Sequence, residues 1–332
     1  MRILVVGAGA TGGYFGGRLL QHGRDVTFLV RDRRAQQLAQ HGLVIRSATG
    51  DADLPSPPTV PAGELRDPFD LILLSCKAYA LEQALIDIAP AVGPQTTILP
   101  VLNGMLQLDR LDEKFGAQHV LGGQCVISAT LDDDGVVQHL NRMHSITFGE
   151  RDGTSSARMQ AITRTLADAG FDARPSGRIV QDMWDKWFFL ASLAGITCLM
   201  RGSVGEIAAA PGGRAAALAL LEECRATAAA AGHPPGEAVV ERARALLSES
   251  GSRLEASMLR DLRQGHPIEA DHVVGDMLAR ATRLGSPTIL LALVYAHLKV
   301  YEAGRPATPS ARAIGSAPLA ADHGRPAGAA LP

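Results

Sequence analysis

Two charged side chains in the second half of the chain could act as a proton donor and its partner. Lys186 lies in Trp184-Asp185-Lys186-Trp187 and is the only charged residue between Asp185 and Arg201. A buried ammonium is costly unless paired. Lys186 therefore either snorkels to water from the start of an amphipathic helix or faces a cleft as a general acid. Glu269 lies in His266-Pro267-Ile268-Glu269-Ala270-Asp271-His272. An acid there either complements a helix dipole or meets a ligand. Glu269 and His272 also have the Glu-x-x-His spacing of di-iron helices, which requires a second copy. The sequence has no second Glu-x-x-His, so no metal is expected. The cysteines Cys76, Cys125, Cys198 and Cys224 form no C-x-x-C and sit among apolar residues, as reduced core thiols of a cytoplasmic protein would.

A second kind of chemistry stands at the N-terminus. Ile3 to Val6 reads as a short buried strand running into Gly7-Ala8-Gly9-Ala10-Thr11-Gly12, a G-x-G-x-x-G turn, with a helix and a second strand, Val26 to Val30, behind it. In that setting the first glycine permits the turn, the second admits a pyrophosphate, and the third lets helix and strand pack closely. The helix offers free N–H groups and a positive dipole end to the phosphates. No G-K-[ST] follows, so this is a dinucleotide site rather than a P-loop. The first polar residue after the second strand is Arg31. An arginine there binds a 2′-phosphate, whereas an acid binds a free ribose hydroxyl. Arg31 thus favours NADPH, with Asp32 as the competing signal.

These groups need a scaffold. Short apolar runs at Leu71–Ser75 and Thr97–Leu102 fit a parallel sheet covered on both faces. A strand around Leu43–Arg46, strands between Val120 and Phe148, and a turn at Asp132–Gly135 complete an α/β Rossmann-type, doubly wound N-terminal domain over residues 1–172. Ligands in such sheets bind beyond the carboxyl ends of the strands. Lys77 and Asn103-Gly104 stand there, with a solvated lysine and a simple turn as the alternatives. From residue 178 to 303 the pattern is all-α. Helices are expected at Val180–Met200, Arg214–Ala231, Glu237–Ser250, Ser252–Gln264, Pro267–Leu284 and Pro287–Tyr301. Ser252-Arg253-Leu254-Glu255 reads as a capping box. Pro267 and Pro287 suit first helical positions, Ser286 an N-cap and Gly265 a C-terminal cap. The Pro/Ala/Gly-rich residues 304–332 read as a mobile tail. The 332 residues are 46% hydrophobic, 4% aromatic and carry a formal net charge of -2, which argues against a nucleic-acid or anionic-membrane surface.

Taken together, Gly7/Gly9/Gly12, Arg31, Lys77, Leu102-Asn103-Gly104, Trp184-x-Lys186, Ser257-Met258-x-x-Asp261 and Ile268-Glu269-Ala270-Asp271 resemble the ketopantoate reductase family over roughly residues 1 to 303. The resemblance implies reduction of a 2-oxo acid by NADPH, as in ketopantoate to pantoate on the route to pantothenate. It assigns Lys186 as the acid that protonates the carbonyl oxygen and Glu269 as an acid holding the substrate. Asn103 would stand at nicotinamide and substrate, Ser257 near the substrate carboxylate, and Lys77 along the cofactor cleft. A Glu partner would keep Lys186 protonated despite burial, and a homodimer is compatible with this reading. A 3-hydroxyacid dehydrogenase-type enzyme and a non-catalytic NADPH sensor are the rival readings. Leu190 and Ala194 depart from the family pattern, which has asparagines there. A substrate less polar than ketopantoate is therefore expected as the alternative.

Overall fold

The computed structural model describes residues 1–305. Five parallel strands form the first sheet: β1 (Arg2–Val6), β2 (Asp25–Leu29), β5 (Thr59–Val60), β6 (Leu71–Leu74) and β7 (Thr97–Pro100), in the order β5-β2-β1-β6-β7. The order reverses between β1 and β6, which is where such sheets bind ligands. Alternation along the strands divides two cores. Leu4, Val6, Ile72, Leu74 and Ile98 face one, and Ile3, Val5, Leu71, Leu73 and Leu99 face the other. Both faces are covered, so the strands read as continuous apolar runs.

The strand at Leu43–Ser47 (β3) is not part of that sheet. It joins a second sheet with β4 (Ala52–Leu54), β8 (Gly122–Leu131), β9 (Val137–Gly149) and β10 (Asp172–Pro175). Helix α1 (Ala10–Gln21) lies between the two sheets, with Tyr14, Phe15 and Leu19 buried in their shared core. Two glycines set this spacing: a Cβ at Gly16 would come 2.6 Å from the Phe28 ring, and one at Gly17 would come 2.7 Å from Ile45. Helices α2 (Asp32–His41), α3 (Leu81–Ile88), α4 (Leu106–Phe115) and α5 (Ala157–Leu166) complete this half.

From Ile179 onward the described residues form helices only. Helix α6 (Ile179–Met200) runs through the centre, and α7 (Val204–Ala209), α8 (Gly213–Ala230), α9 (Glu237–Ser248), α10 (Ser257–Arg263), α11 (Asp276–Arg283) and α12 (Ile289–Gly304) surround it. An apolar helix of this kind is stable only when covered on all sides. One continuous core joins Leu74 of β6 and Leu102 just beyond β7 to Trp187 and Phe188 of α6, so the catalytic candidate on α6 is anchored against the sheet. Among the described residues no helix is long and apolar enough to cross a membrane.

Three boundary expectations fail. Ser252 opens no helix; residues 252–256 form no regular secondary structure, and the Ser252 and Leu254 carbonyls accept the N–H groups of Gly205 and Val204 at 2.9 Å each. The capping box is instead Ser203 with Glu206, at the start of α7. Pro267 precedes the next helical residue, Ala270, and residues Asp271–Gly275 form a π turn before α11. Ser286 donates its N–H to the Ala281 carbonyl, closing α11 in a Schellman motif, so Thr288 rather than Ser286 precedes α12, and Pro287 lies before the helix instead of at its first position. Gly265 does close α10 in the same way, with His266 donating to the Asp261 carbonyl. The expected tail lies outside the described residues apart from Gly304 and Arg305.

Candidate active site

A cavity of about 910 Å³ opens at the carboxyl ends of β1, β2 and β6. Its walls include Gly7, Ala8, Gly9, Arg31, Asp32, Arg34, Cys76 and Asp132. Gly7 turns the chain with φ +92°, and a Cβ at Gly12 would lie 2.0 Å from the Gly7 carbonyl oxygen and 2.2 Å from Ser75 Oγ. Only glycine allows α1 to start so close beneath the loop. A Cβ at Gly9, by contrast, would meet nothing within 4 Å, which leaves the backbone open to an approaching group. Ala10 and Thr11 form the first turn of α1 behind it.

Arg34 ties this loop to the second sheet. Its Nε donates to the Ala8 carbonyl at 2.9 Å and its Nη1 to the Gly135 carbonyl in the β8–β9 turn at 2.9 Å. Its buried Nη2 has no partner among the described residues. Burial lowers the pKa of this guanidinium, and Asp132 opposes the shift. A cavity bounded by an open glycine loop with a helix N-terminus behind it fits a dinucleotide. The Cys76 thiol on the same wall is pushed up to about 12, chiefly by burial.

Lys186 stands between the two halves. Its Nζ donates to Asn103 Oδ1 at 3.1 Å and to the Cys125 carbonyl on β8 at 2.7 Å. An ammonium has three N–H bonds, so one is left for a further acceptor. Burial lowers its pKa, with Cys125 and Glu269 acting against that shift. The expected Lys186–Glu269 pairing is not formed: neutral carbonyl oxygens, not a carboxylate, hold Lys186.

Glu269 is buried and accepts the Ala78 N–H at Oε1, 3.0 Å away. Its Oε2 lies 3.8 Å from Lys77 Nζ, which also meets Asp261 Oδ2 at 2.9 Å. Burial pulls the Lys77 pKa down, but Glu269 and Asp261 together outweigh it, and the net shift is upward. The π turn follows directly. Its Val273 carbonyl accepts from Trp187 Nε1 at 3.0 Å, so an irregular helix is stitched to α6 one residue from Lys186.

The structure thus joins Asn103 to Lys186 and Lys77 to Glu269. It puts Gly7, Ala8, Gly9 and Arg31 on the large cavity, whereas Lys77 turns away from that wall toward the helical half. Ser257 stands one helical turn before Asp261 on α10, on the same helix face. Sequence reading assigned no role to Asp261, Arg34, the Cys125 carbonyl or Gln124, which lines a small cavity beside Lys186. A backbone carbonyl has no sequence signal. Asp261 had one, its place in the Ser257-Met258-x-x-Asp261 motif.

Residues 3–153 match the ketopantoate reductase PanE/ApbA family, and residues 178–302 match the C-terminal part of the same family. The chain is 38% identical over 303 residues to the uncharacterized oxidoreductase YkpB of Bacillus subtilis, covering 91% of this chain and 99% of that one. It is 28% identical over 321 residues to a 2-dehydropantoate 2-reductase of Mesorhizobium japonicum, covering 89% and 97%. The crystal structure of 2-dehydropantoate 2-reductase from Geobacter metallireducens superposes with a TM-score of 0.83 at 28% identity, covering 90% of this chain and 99% of that one. The chain therefore belongs to the ketopantoate reductase family, and it is an oxidoreductase of that family.

Proposed function

We propose that the chain reduces the carbonyl group of a small 2-oxo acid with NADPH. The observation that carries this reading is the Lys186 ammonium, fixed by Asn103 and Cys125 with one N–H to spare, at the seam between the sheet half and the helical half. When bound, the nicotinamide cofactor supplies the hydride. Negative charge then develops on the carbonyl oxygen. Lys186 stabilises that charge through its spare N–H and delivers the proton. Asn103 Oδ1 and the Cys125 carbonyl orient the ammonium without neutralising it. Glu269 and Lys77 carry opposite charges at the same seam, and Ser257 adds a hydroxyl on the Asp261 face. Arg31 and Arg34 supply cationic groups for the 2′-phosphate, and the glycine loop takes the pyrophosphate.

The test is NADPH oxidation against ketopantoate and other branched 2-oxo acids, with Lys186→Ala in parallel. Turnover of at least one acid, lost in Lys186→Ala while NADPH still binds, supports the reading. Tight NADPH binding with no turnover of any acid would make the chain a cofactor-binding sensor. Near-wild-type turnover by Lys186→Ala would remove the mechanism.

A further inference from the structure

One residue of the helical half reaches the large cavity at the strand ends. Among the described residues, His266 is the only member of that half on the cavity wall, and its imidazole is the only aromatic ring there. The backbone around it is pinned from several sides. The His266 N–H donates to the Asp261 carbonyl at 2.8 Å, and the His266 carbonyl accepts from Tyr301 Oη at 2.8 Å. Arg305 Nε donates to the Gly265 carbonyl at 3.0 Å. Pro267 restricts the chain on the other side. The His266 side chain is exposed and has no hydrogen-bond partner among the described residues, so the fold itself makes no use of the ring. A free ring carried on a fixed corner is pre-organised for a ligand, because little backbone freedom is left to lose on binding.

The rest of the wall says which part of a dinucleotide meets this ring. A glycine loop takes the pyrophosphate, and the residue ending the second strand, here Arg31, stands at the adenosine ribose. Asn103 and Lys186, which mark the reacting end, do not line this cavity. It is therefore the adenosine end of the site. Beyond Arg31 its wall carries Pro61, Ala62, Ala80 and Ala84. These small apolar side chains make a smooth floor but offer no π face. A base lying there finds its one aromatic partner across the seam. We infer that His266 is a cofactor-binding residue supplied by the helical half, and that its imidazole stacks on the adenine. This rests on the dinucleotide part of the reading above and is independent of the substrate. The same corner carries Asp261 before it and Glu269 after it, the two carboxylates that hold Lys77. Cover over the adenine is thus tied to the seam at which Lys186 works.

The test is calorimetric titration of the full chain with NADPH and with adenosine 2′,5′-bisphosphate, which keeps the adenine end alone. His266→Ala should weaken both ligands by the same factor, roughly fivefold or more, the scale of one base stacked on an aromatic ring. Its Tm should stay within about 2 °C of wild type, because the side chain touches nothing the fold depends on. His266→Phe keeps a π face without the ring nitrogens and should restore both affinities to within about twofold. With an acid that is turned over, His266→Ala should raise KM for NADPH and leave kcat unchanged, as a contact equal in ground and transition states does. Unchanged affinities in His266→Ala would overturn the proposal. So would a loss that His266→Phe does not restore, which would make the imidazole a hydrogen-bonding group, or a loss felt by NADPH but not by the bisphosphate, which would move the contact off the adenine. If wild type binds both ligands but reduces no acid, the reductase reading falls and the His266 proposal is still decided by the variants. If wild type binds neither, both fall.

Discussion

Asp261 on α10 holds Lys77 at 2.9 Å across the seam between the sheet half and the helical half, although the two residues are 184 positions apart. The pair is partly exposed, with side-chain accessibilities of 22% and 43%. Such pairs add no more than about 1 kcal/mol to stability. Asp261→Asn should therefore shift Tm by less than about 3 °C. Its effect should appear in binding instead, because Lys77 loses one of the two carboxylates that hold it at the seam. Steady-state kinetics should show a KM for the 2-oxo acid raised several-fold with kcat nearly unchanged. A large loss of Tm with unchanged KM would make the contact purely structural.

Lys186 should set the alkaline limit of the reaction. Its pKa is lowered from the usual 10.5, first by burial. A proton donor works only while protonated, so kcat/KM should be level at neutral pH and fall as pH rises through the lowered value. The break should come below 10.5. Lys186→Met should cost about 10²–10⁴-fold in kcat, the usual worth of a positioned general acid. Lys186→Arg should not restore it, because a guanidinium neither releases its proton nor fits the Asn103 and Cys125 carbonyls as a compact ammonium does.

Arg31 and Arg34 share one cavity but should fail differently. The Arg31 side chain has no hydrogen-bond partner among the described residues, whereas Arg34 clasps the Ala8 and Gly135 carbonyls. Arg31→Ala should raise KM for NADPH far more than for NADH, since only the former carries the 2′-phosphate. Arg34→Ala should weaken both cofactors and lower Tm, because it releases the glycine loop from the β8–β9 turn. Equal effects of Arg31→Ala on both cofactors would refute the assignment of NADPH.

Much of this arrangement was legible because local signals and tertiary demands agree. The run Ile3 to Val6 followed by Gly7, Gly9 and Gly12 can hardly be anything but a strand, turn and helix, and α6 announces itself by apolar length. Reading failed where one partner is far away in sequence. Nothing near Leu43 says that β3 leaves the parallel sheet to pair with β4 and β9. Ser252 has a capping sequence, but its carbonyl is claimed by the first turn of α7, so the helix starts only at Ser257. Lys186 was identified by its apolar setting, yet its partners were not. The carboxylate expected at Lys186 is engaged by Ala78 and Lys77, and the residues that do hold it are an amide oxygen 83 positions away and a main-chain carbonyl.

Glu150 should give the acid side of stability. It is 8% exposed at the end of β9, where its carboxylate accepts from Arg158 Nε at 2.6 Å and Ser156 Oγ at 2.6 Å. Ser156 in turn caps α5. The hydrogen bonds from Arg158 hold the carboxyl below its usual 4.5, with Ser156 adding to the shift against the cost of burial. A carboxylate whose pKa is lower folded than unfolded stabilises the fold above the unfolded value and loses that contribution as pH falls through the folded one. Tm should therefore be steady above about pH 5 and decline on acidification below it. Glu150→Gln keeps the shape but removes the charge, so it should lower Tm at neutral pH by a few degrees, about 2 kcal/mol, and flatten the acid decline. An acid decline unchanged in Glu150→Gln would show that other carboxylates carry it.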